Sequence, residues 1–160
     1  MLLIEQGDSD GPRHLREALK KRPTWMYHTL YLGVLARGLL AQGELAEARE
    51  AIRQALDRAE LRKERWCEPE LLRIEAEVLA AGGKPREADV VFRQSLALAQ
   101  EQGALSWSLR TATSLARLLG NQGRHGDAIA CLQPVFGRFT EGFDTKDLVE
   151  AKSLLDELAQ

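Results

Sequence analysis

The sequence predicts an all-α protein, a solenoid of antiparallel helix pairs, and two observations lead to this fold class. A glycine recurs every 40 residues, at Gly43, Gly83 and Gly123, and self-similarity at a fixed period of this size is typical of stacked repeats. Leu, Ala, Glu, Arg and Gln dominate the chain and favour helices, whereas strand-forming residues are too scarce for a large sheet. We therefore expect each repeat to bury its apolar face against its neighbours.

Small and large apolar residues recur in the same register as these glycines. Alanines stand seven residues before and five residues after each glycine, at Ala36, Ala76, Ala116, Ala48, Ala88 and Ala128. Large residues stand four before and nine after, at Leu39, Leu79, Leu119, Ile52, Phe92 and Leu132. Small residues let two helices cross closely and large residues fill the space beside the crossing, so each repeat is predicted to be one helix pair with Ala88 and its equivalents buried.

The helix limits follow from periodicity and from glycine and proline. In the middle repeat, apolar spacing over 71–79 predicts a helix that ends near Gly83 in the left-handed conformation, and Pro85 begins the next helix, which continues over 87–99. The flanking repeats are predicted to contain helices over 24–40, 46–65, 107–119 and 127–139, with a kink or an early end at Pro134.

The two ends of the chain differ from the middle. A short helix is predicted over 14–22, and a last helix is predicted to be capped by Asp144 or Thr145, with an apolar stripe of Leu148, Ala151, Leu155 and Leu158. We expect one helical-repeat domain over 1–160: a partial repeat (1–23), about three full repeats (24–65, 66–103 and 104–143) and a C-terminal capping helix (144–160).

Composition argues against several classes of protein. The formal net charge of −2 and the pI of about 6.0 do not favour nucleic acid or an anionic membrane as a partner. The most apolar window, 24–41, contains His28 and Arg37 and falls short of a membrane span. The first residues lack the features of a signal peptide, and the isolated Cys67 and Cys131 are expected to be reduced. These features predict a cytoplasmic protein.

We find no pattern typical of a catalytic, cofactor or metal site. The segment 82–85, Gly-Gly-Lys-Pro, lacks the hydroxyl that a phosphate-binding loop places after its lysine. His14, His28 and His125 are far apart and have no ligand spacing with the cysteines. The sequence therefore predicts a protein that is not an enzyme and binds no cofactor.

The repeat pattern resembles the tetratricopeptide repeat. The middle repeat carries Leu72, Ala76, Leu79, Gly83, Ala88, Phe92, Ser95 and Leu96 at the positions of that pattern, and it departs at Ser95, where the family prefers alanine. The period of 40 exceeds the 34 of the family, so loops or second helices are expected to be longer. The resemblance implies an α-solenoid whose first helix of each pair lines a concave groove.

That groove is expected to bind a protein or peptide partner. Carried over position by position, the groove residues are Arg37, Glu70, Arg73, Glu77, Arg110, Thr113 and Arg117. The arginines, above all Arg73, Arg110 and Arg117, would pair with acidic or phosphorylated groups of a ligand, or instead with the interleaved glutamates of the chain itself. The asparagines and lysines with which some family members bind a C-terminal carboxylate are missing here.

A second resemblance covers roughly residues 24–158. The segments 64–73, 102–110, 113–118 and 134–148 are similar to the tetratricopeptide tails of bacterial signal-transducing ATPases that carry nucleotide-cyclase or DNA-binding head domains. The chain departs at Ser108, where that family usually has glutamate, and at Phe136, where it often has tyrosine. The main hypothesis is a non-enzymatic interaction module, or scaffold, and the alternative is a regulatory sensor tail of a signalling ATPase, adenylate cyclase or transcriptional regulator.

Two further features have alternative interpretations. Trp66 and Trp107 stand at nearly equivalent places ahead of first helices, where they either fill the gap between repeats or anchor a ligand. Leu15 and Leu19 form an apolar stripe on a second helix whose partner helix is nearly missing. That stripe is predicted either to meet a second copy of the chain or an ATPase module, or to be covered by residues 1–6.

Overall fold

Helices make up most of the chain in this computed structural model, which describes residues 10–21 and 27–160. Within these ranges the helices are α1 (Gly11–Lys21), α2 (His28–Ala41), α3 (Leu45–Arg62), α4 (Glu68–Ala81), α5 (Pro85–Glu101), α6 (Leu105–Asn121), α7 (His125–Phe136) and α8 (Lys146–Leu158). A 3₁₀ turn, Arg65–Cys67, precedes α4, and no strand occurs in these ranges. The all-α prediction is therefore confirmed.

The helices pack as a solenoid of pairs. Helix α2 packs on α3, α4 on α5 and α6 on α7, while α4 also contacts α2 and α6, and α6 contacts α8. Helices α2, α4, α6 and α8 therefore form one continuous layer, and α3, α5 and α7 cover its other side. The order of contacts follows the order of the chain, as expected for a repeat protein.

The recurring glycines end the first helix of each pair. Gly43, Gly83 and Gly123 have φ of +81°, +75° and +74°, and the amide of the next residue, for instance Lys84, donates to the carbonyl of Leu79 at 3.0 Å. This six-to-one hydrogen bond with a left-handed residue is the Schellman end of a helix. A Cβ at these three glycines would meet no atom within 4 Å, so it is the backbone conformation that requires glycine here.

Small residues lie where the helices cross. The six alanines of the repeat register, including Ala88, have no exposed surface, which confirms their predicted burial. A further small residue, Gly33, lets α2 approach α4 closely, because a Cβ there would lie 2.7 Å from Cδ2 of Leu71. Side chains larger than alanine at these crossings would force the helices apart.

The core consists of two apolar clusters that meet at α4. Leu71, Ile74 and Val78 belong to the N-terminal cluster with α2 and α3, whereas Ala76 belongs to the C-terminal cluster with α5 to α8. The helix is therefore apolar on two of its faces. The remaining face of α4 carries charged residues.

Several helix limits differ from those predicted. Helix α3 ends at Arg62 rather than at 65, because Lys63 adopts a left-handed conformation with φ of 57°. Helix α7 continues through Pro134 but ends at Phe136 instead of 139, which agrees with an early end at that proline. Helix α1 begins at Gly11 instead of 14, and the predicted last residue of that helix, at position 22, lies outside the described residues.

The capping helix differs in its cap and its apolar stripe. Thr145 occupies the N-cap position of α8, but its hydroxyl donates to the carbonyl of Gly142 at 2.7 Å instead of accepting from a helix amide. Leu154 is buried with Leu148, Ala151 and Leu158, and Leu155, which was predicted in its place, is half-buried.

Candidate binding groove

A cavity of about 560 Å³ opens on the layer formed by the first helices. Six of the seven predicted groove residues line it: Arg37 from α2, Arg73 and Glu77 from α4, and Arg110, Thr113 and Arg117 from α6. The seventh, Glu70, is only 5% exposed and lies beneath Arg73. The start of α8 closes one end of the cavity with Lys146, Asp147 and Glu150, which the sequence analysis did not assign to the groove.

The repeat period explains why charged residues of different helices meet here. Arg37, Glu77 and Arg117 are each 40 residues apart and therefore hold the same register on α2, α4 and α6. Glu70 and Arg110 are related in the same way. The sign of the charge alternates from one repeat to the next at both positions, and Glu70 of α4 lies near arginines of both neighbouring helices, Arg110 of α6 and Arg37 of α2.

Arg73 is the most fully bonded of the groove residues. Its Nε and Nη2 donate to the two oxygens of Glu70 at 2.9 and 2.8 Å, and its Nη1 donates to Oε1 of Glu77 at 2.5 Å. These partners lie three residues before and four residues after it on α4, where helical geometry places side chains on one face. Ser114 of α6 also donates to Oε1 of Glu77, at 2.8 Å, and so connects this network to the third repeat.

The buried pair stays ionised. Burial on its own would raise the pKa of Glu70, but the charge and the hydrogen bonds of Arg73, supported by Arg110 and Arg37, lower that pKa below its ordinary value. Burial likewise opposes the charge on Arg73, yet Glu70 and Glu77 raise the pKa of its guanidinium. The Arg73 side chain is 5% exposed and that of Glu70 is 6% exposed, so the predicted pairing within the chain is what the structure shows for Arg73.

The arginines of α6 make more exposed contacts with α8. The Nε of Arg110 donates to Oδ2 of Asp147 at 2.6 Å, and its Nη1 lies 3.5 Å from Oε1 of Glu70. The Nη2 of Arg117 lies 3.9 Å from Oε1 of Glu150. The Arg110 side chain is 34% exposed and that of Arg117 is 49% exposed, so solvent reaches both guanidinium groups.

Two cations of the groove have no carboxylate at ion-pair distance among the described residues. Within residues 10–21 and 27–160, no carboxylate lies within 4 Å of the Arg37 guanidinium or of the Lys146 ammonium. Thr113 is different, because its hydroxyl already donates to the carbonyl of Leu109 at 2.8 Å and is buried. Arg37 and Lys146 are therefore the groups that are most available to an anion, and Thr113 contributes shape rather than a hydrogen bond.

The charge of the cavity favours an anionic ligand. Five cationic side chains line it, namely Arg37, Arg73, Arg110, Arg117 and Lys146, against three acidic ones, Glu77, Asp147 and Glu150. This positive excess lies on a chain whose net charge is −2. A concave site with an excess of one sign of charge attracts ligands of the opposite sign.

The described part of the chain was also searched for a metal site, a membrane-spanning helix and a reactive cysteine. No cluster of three metal-ligating side chains was found there, and none of the helices there has the length and apolar character to span a membrane. Burial, together with nearby acidic groups, raises the pKa of Cys67 to about 11, and burial likewise raises that of Cys131 to about 11. Both thiols are therefore protonated at neutral pH, whereas a nucleophilic cysteine acts as the thiolate.

The tryptophans lie at the edge of the solenoid. The ring centroids of Trp66 and Trp107 are 6.2 Å apart, and Tyr27 meets Trp66 edge-on at 5.9 Å. Trp107 packs against the N-terminal cluster, while Trp66 is 42% exposed. These contacts support the interpretation that the rings fill the space between repeats.

The leucines of α1 are less exposed than predicted. Leu19 is 4% exposed and belongs to the N-terminal cluster, and Leu15 is partly buried against the same cluster. The two side chains are therefore largely covered, and the sequence left open whether a partner or residues 1–6 would cover them. Residues 1–6, the alternative cover, lie outside the described residues, and an interface at Leu15 and Leu19 stays a prediction.

Comparison with known proteins supports the repeat assignment. Two segments, residues 30–54 and 109–134, match the family model described as Tetratricopeptide repeat. The fold is similar to a crystal structure of nearly identical TPR-like repeats of a Podosopora anserina protein described as a kinesin light chain, with a TM-score of 0.69 and 18% identity over 99% of this chain and 80% of that chain. No curated protein matches the sequence. These two segments are thus similar to tetratricopeptide repeats, and the structural comparison shows the solenoid fold.

Proposed function

We propose that this chain is a non-enzymatic protein–protein interaction module whose groove binds an acidic segment of a partner protein. Tetratricopeptide repeats are generally protein–protein interaction modules, which supports the class of function. The observation that carries the choice of ligand is the positive excess among the side chains lining the cavity. A volume of about 560 Å³ is within the usual range of a ligand pocket and leaves room for several side chains of an extended segment.

The groove residues contribute in two ways. Arg37, Arg117 and Lys146 are solvent-accessible or partly so and are weakly paired or unpaired within the chain, which suits them to direct contact with carboxylates. The Nε of Arg110 faces Asp147 and its Nη1 faces Glu70, so within the described residues its Nη2 is the nitrogen without a close acidic neighbour. Arg73 is enclosed with its glutamates, so its proposed role is to hold the charged face of α4 in place and not to bind the ligand directly.

A labelled octaglutamate peptide tests this function by fluorescence anisotropy. We expect the wild type to bind it with an affinity that falls steeply with salt, because exposed charge pairs are screened over about 8–10 Å at physiological ionic strength. The double variant Arg37→Glu, Arg117→Glu should weaken binding at least about tenfold, since it replaces two attractive contacts with repulsive ones. Reversal at Arg73 is avoided because it would leave Glu70 buried without its partner.

A matched control separates the groove from overall charge. Arg86 and Arg138 are exposed and lie outside the cavity, so Arg86→Glu, Arg138→Glu makes the same change in net charge elsewhere. Binding should survive in this control and be lost in the groove variant. Equal loss in both would show that the peptide responds to net charge alone, and the groove assignment would be wrong.

The resemblance over residues 24–158 supports a second candidate. In a regulatory sensor tail, the same groove would hold a ligand, or the ATPase module itself, and control its state. Sequencing upstream of the first codon in the source genome tests this candidate. A continuous reading frame that encodes an ATPase would favour the sensor tail, whereas a stop codon directly upstream would favour the independent interaction module.

A further inference from the structure

We propose that helix α8 carries a built-in competitor for the groove: Asp147 and Glu150 occupy the positions on Arg110 and Arg117 that carboxylates of an acidic ligand would take. This regulation rests on the proposed function, because it concerns the same groove. It means that the wild-type groove is partly self-occupied and that its affinity is set by how readily these two side chains give up their contacts.

The backbone of α8 is firmly attached. Leu148, Ala151 and Leu158 are at most 8% exposed and belong to the C-terminal cluster. Helix α6 approaches α8 so closely that a Cβ at Gly120 would lie 2.9 Å from Cδ2 of Leu158. The helix is therefore held through its apolar face, and the proposed exchange involves only the side chains of its polar face.

The contacts of these side chains are those that a ligand carboxylate would make. Asp147 accepts from the Nε of Arg110 at 2.6 Å, a short charge-assisted hydrogen bond. Glu150 lies at 3.9 Å from Arg117, which is an ion pair without hydrogen-bond geometry. The two acids are one helical turn apart and point into the same cavity as Arg37.

Because Asp147 and Glu150 are partly exposed, replacing their contacts with those of a ligand costs little free energy. The Asp147 side chain is 32% exposed and that of Glu150 is 51% exposed, so each carboxylate can return to water when a ligand replaces it. The pairs of Arg73 differ, because the Arg73 side chain shared by both is 5% exposed, against 34% for Arg110 and 49% for Arg117. Partial exposure thus distinguishes the replaceable pairs of α8 from the permanent pairs of α4.

Competition by Asp147 and Glu150 also predicts which ligands bind the groove well. A ligand with one carboxylate only exchanges one ion pair for another at Arg110. A segment with several acidic residues additionally reaches Arg37 and Lys146, which have no carboxylate within 4 Å in the described part of the chain, so no close ion pair has to be displaced there. The self-occupied groove therefore favours multiply acidic segments over single carboxylates.

The test compares two doubly neutralised variants with the wild type, using the labelled octaglutamate peptide. In Asp147→Asn, Glu150→Gln the competing charges are removed while side-chain size is kept. We expect the dissociation constant to fall about three- to tenfold, the range that corresponds to releasing two exposed ion pairs. Of the single variants, Asp147→Asn should produce the larger share, because its contact is the shorter one.

The control is Asp156→Asn, Glu157→Gln, which changes net charge equally. Both residues are exposed near the other end of α8 and do not line the cavity, so affinity should change less than about twofold. Circular dichroism of each variant shows whether α8 and the rest of the fold are intact before binding is compared.

Each outcome decides a different question. If the wild type binds the peptide and both double variants bind it with the same affinity as the wild type, the proposed competition by Asp147 and Glu150 is wrong and the proposed function stands. Weaker binding by Asp147→Asn, Glu150→Gln would also overturn it, since these acids would then position the arginines. Binding by this variant alone supports the proposal that Asp147 and Glu150 compete with the ligand. If none of the proteins binds the peptide, the proposed function is wrong, and so is the proposed competition.

Discussion

Arg73, in the middle of the groove, is enclosed with Glu70 and Glu77, whereas Arg110, at the α8 end, meets Asp147 in partial contact with solvent. The side chains and the bond lengths are alike in the two regions, at 2.5–2.9 Å around Arg73 and 2.6 Å for Arg110 with Asp147. What differs is exposure, 5% for the Arg73 side chain and 34% for that of Arg110.

This difference in exposure distinguishes ion pairs that hold the fold from ion pairs that can exchange with a ligand. A buried pair is costly to break, because the partner left behind is a charge without solvation. An exposed pair contributes little, since water solvates both members once they separate. The α4 network is therefore suited to fixing the surface of the groove, and the α6–α8 contacts are suited to exchanging with a ligand.

The largest loss of stability is expected from a substitution that buries a new charge without a partner. Ala88 has no exposed surface where α5 crosses α4, and Ala88→Arg would overpack this crossing and place a guanidinium among apolar groups. We expect a loss of about 4 kcal/mol in the free energy of unfolding. Thermal denaturation checks it, with Val90→Arg, at an exposed position of the same helix, as the control. Melting within a degree or two of the wild type would show that the repeat alignment is wrong.

The second effect removes one partner of the buried network. Arg73→Met keeps most of the side-chain volume but leaves Glu70 with only the more distant Arg110. The expected loss is about 3 kcal/mol in urea denaturation. The control is Arg53→Met, which breaks an exposed pair with Glu50 and Asp57 on α3 and should leave the transition midpoint almost unchanged. Equal effects of the two substitutions would remove the distinction between the regions.

The third effect is on the pH dependence of stability. Since the pKa of Glu70 is lowered in the folded state, its stabilisation is complete above its unfolded pKa of about 4.5 and is lost as the pH falls through the folded value. Glu70→Gln should therefore flatten the acid limb of a stability profile measured from pH 7 downwards.

Glu75 provides a control of opposite sign. Burial raises the pKa of this carboxyl, so its ionisation opposes folding as the pH rises through the interval above 4.5. Glu75→Gln should increase stability at neutral pH. If both variants shift the profile in the same direction, the charged network is not what sets the response of Glu70.

The smallest effect is expected at the exposed end of the groove. Arg117→Gln removes an ion pair whose members are about half exposed and 3.9 Å apart, and the free energy of unfolding should change by no more than about 0.5 kcal/mol. Peptide affinity should nevertheless fall, because this guanidinium is proposed to contact the ligand. A stability loss near that of Arg73→Met would mean that the two regions are equivalent.

The sequence predicted the repeat architecture well because its causes are local and recur along the chain. A glycine that must adopt positive φ, an alanine at each crossing and apolar residues at helical spacing are readable at positions such as Gly83, Ala88 and Phe92. The helix ends were less accurate. The left-handed Lys63 and the persistence of α7 past Pro134 go against local preference, because lysine seldom adopts positive φ and proline usually ends a helix.

The groove divides in the same way between sequence and tertiary structure. The resemblance to the tetratricopeptide repeat predicted that Arg37, Arg73, Glu77, Arg110 and Arg117 would share a surface, and the 40-residue register aligns Arg37, Glu77 and Arg117 on successive helices. Only the tertiary structure decided that Arg73 is enclosed and that Asp147 and Glu150 enter the groove. Helix α8 lies outside the repeat period, so its register is set by packing against α6, and the burial of a charge depends on all the helices around it.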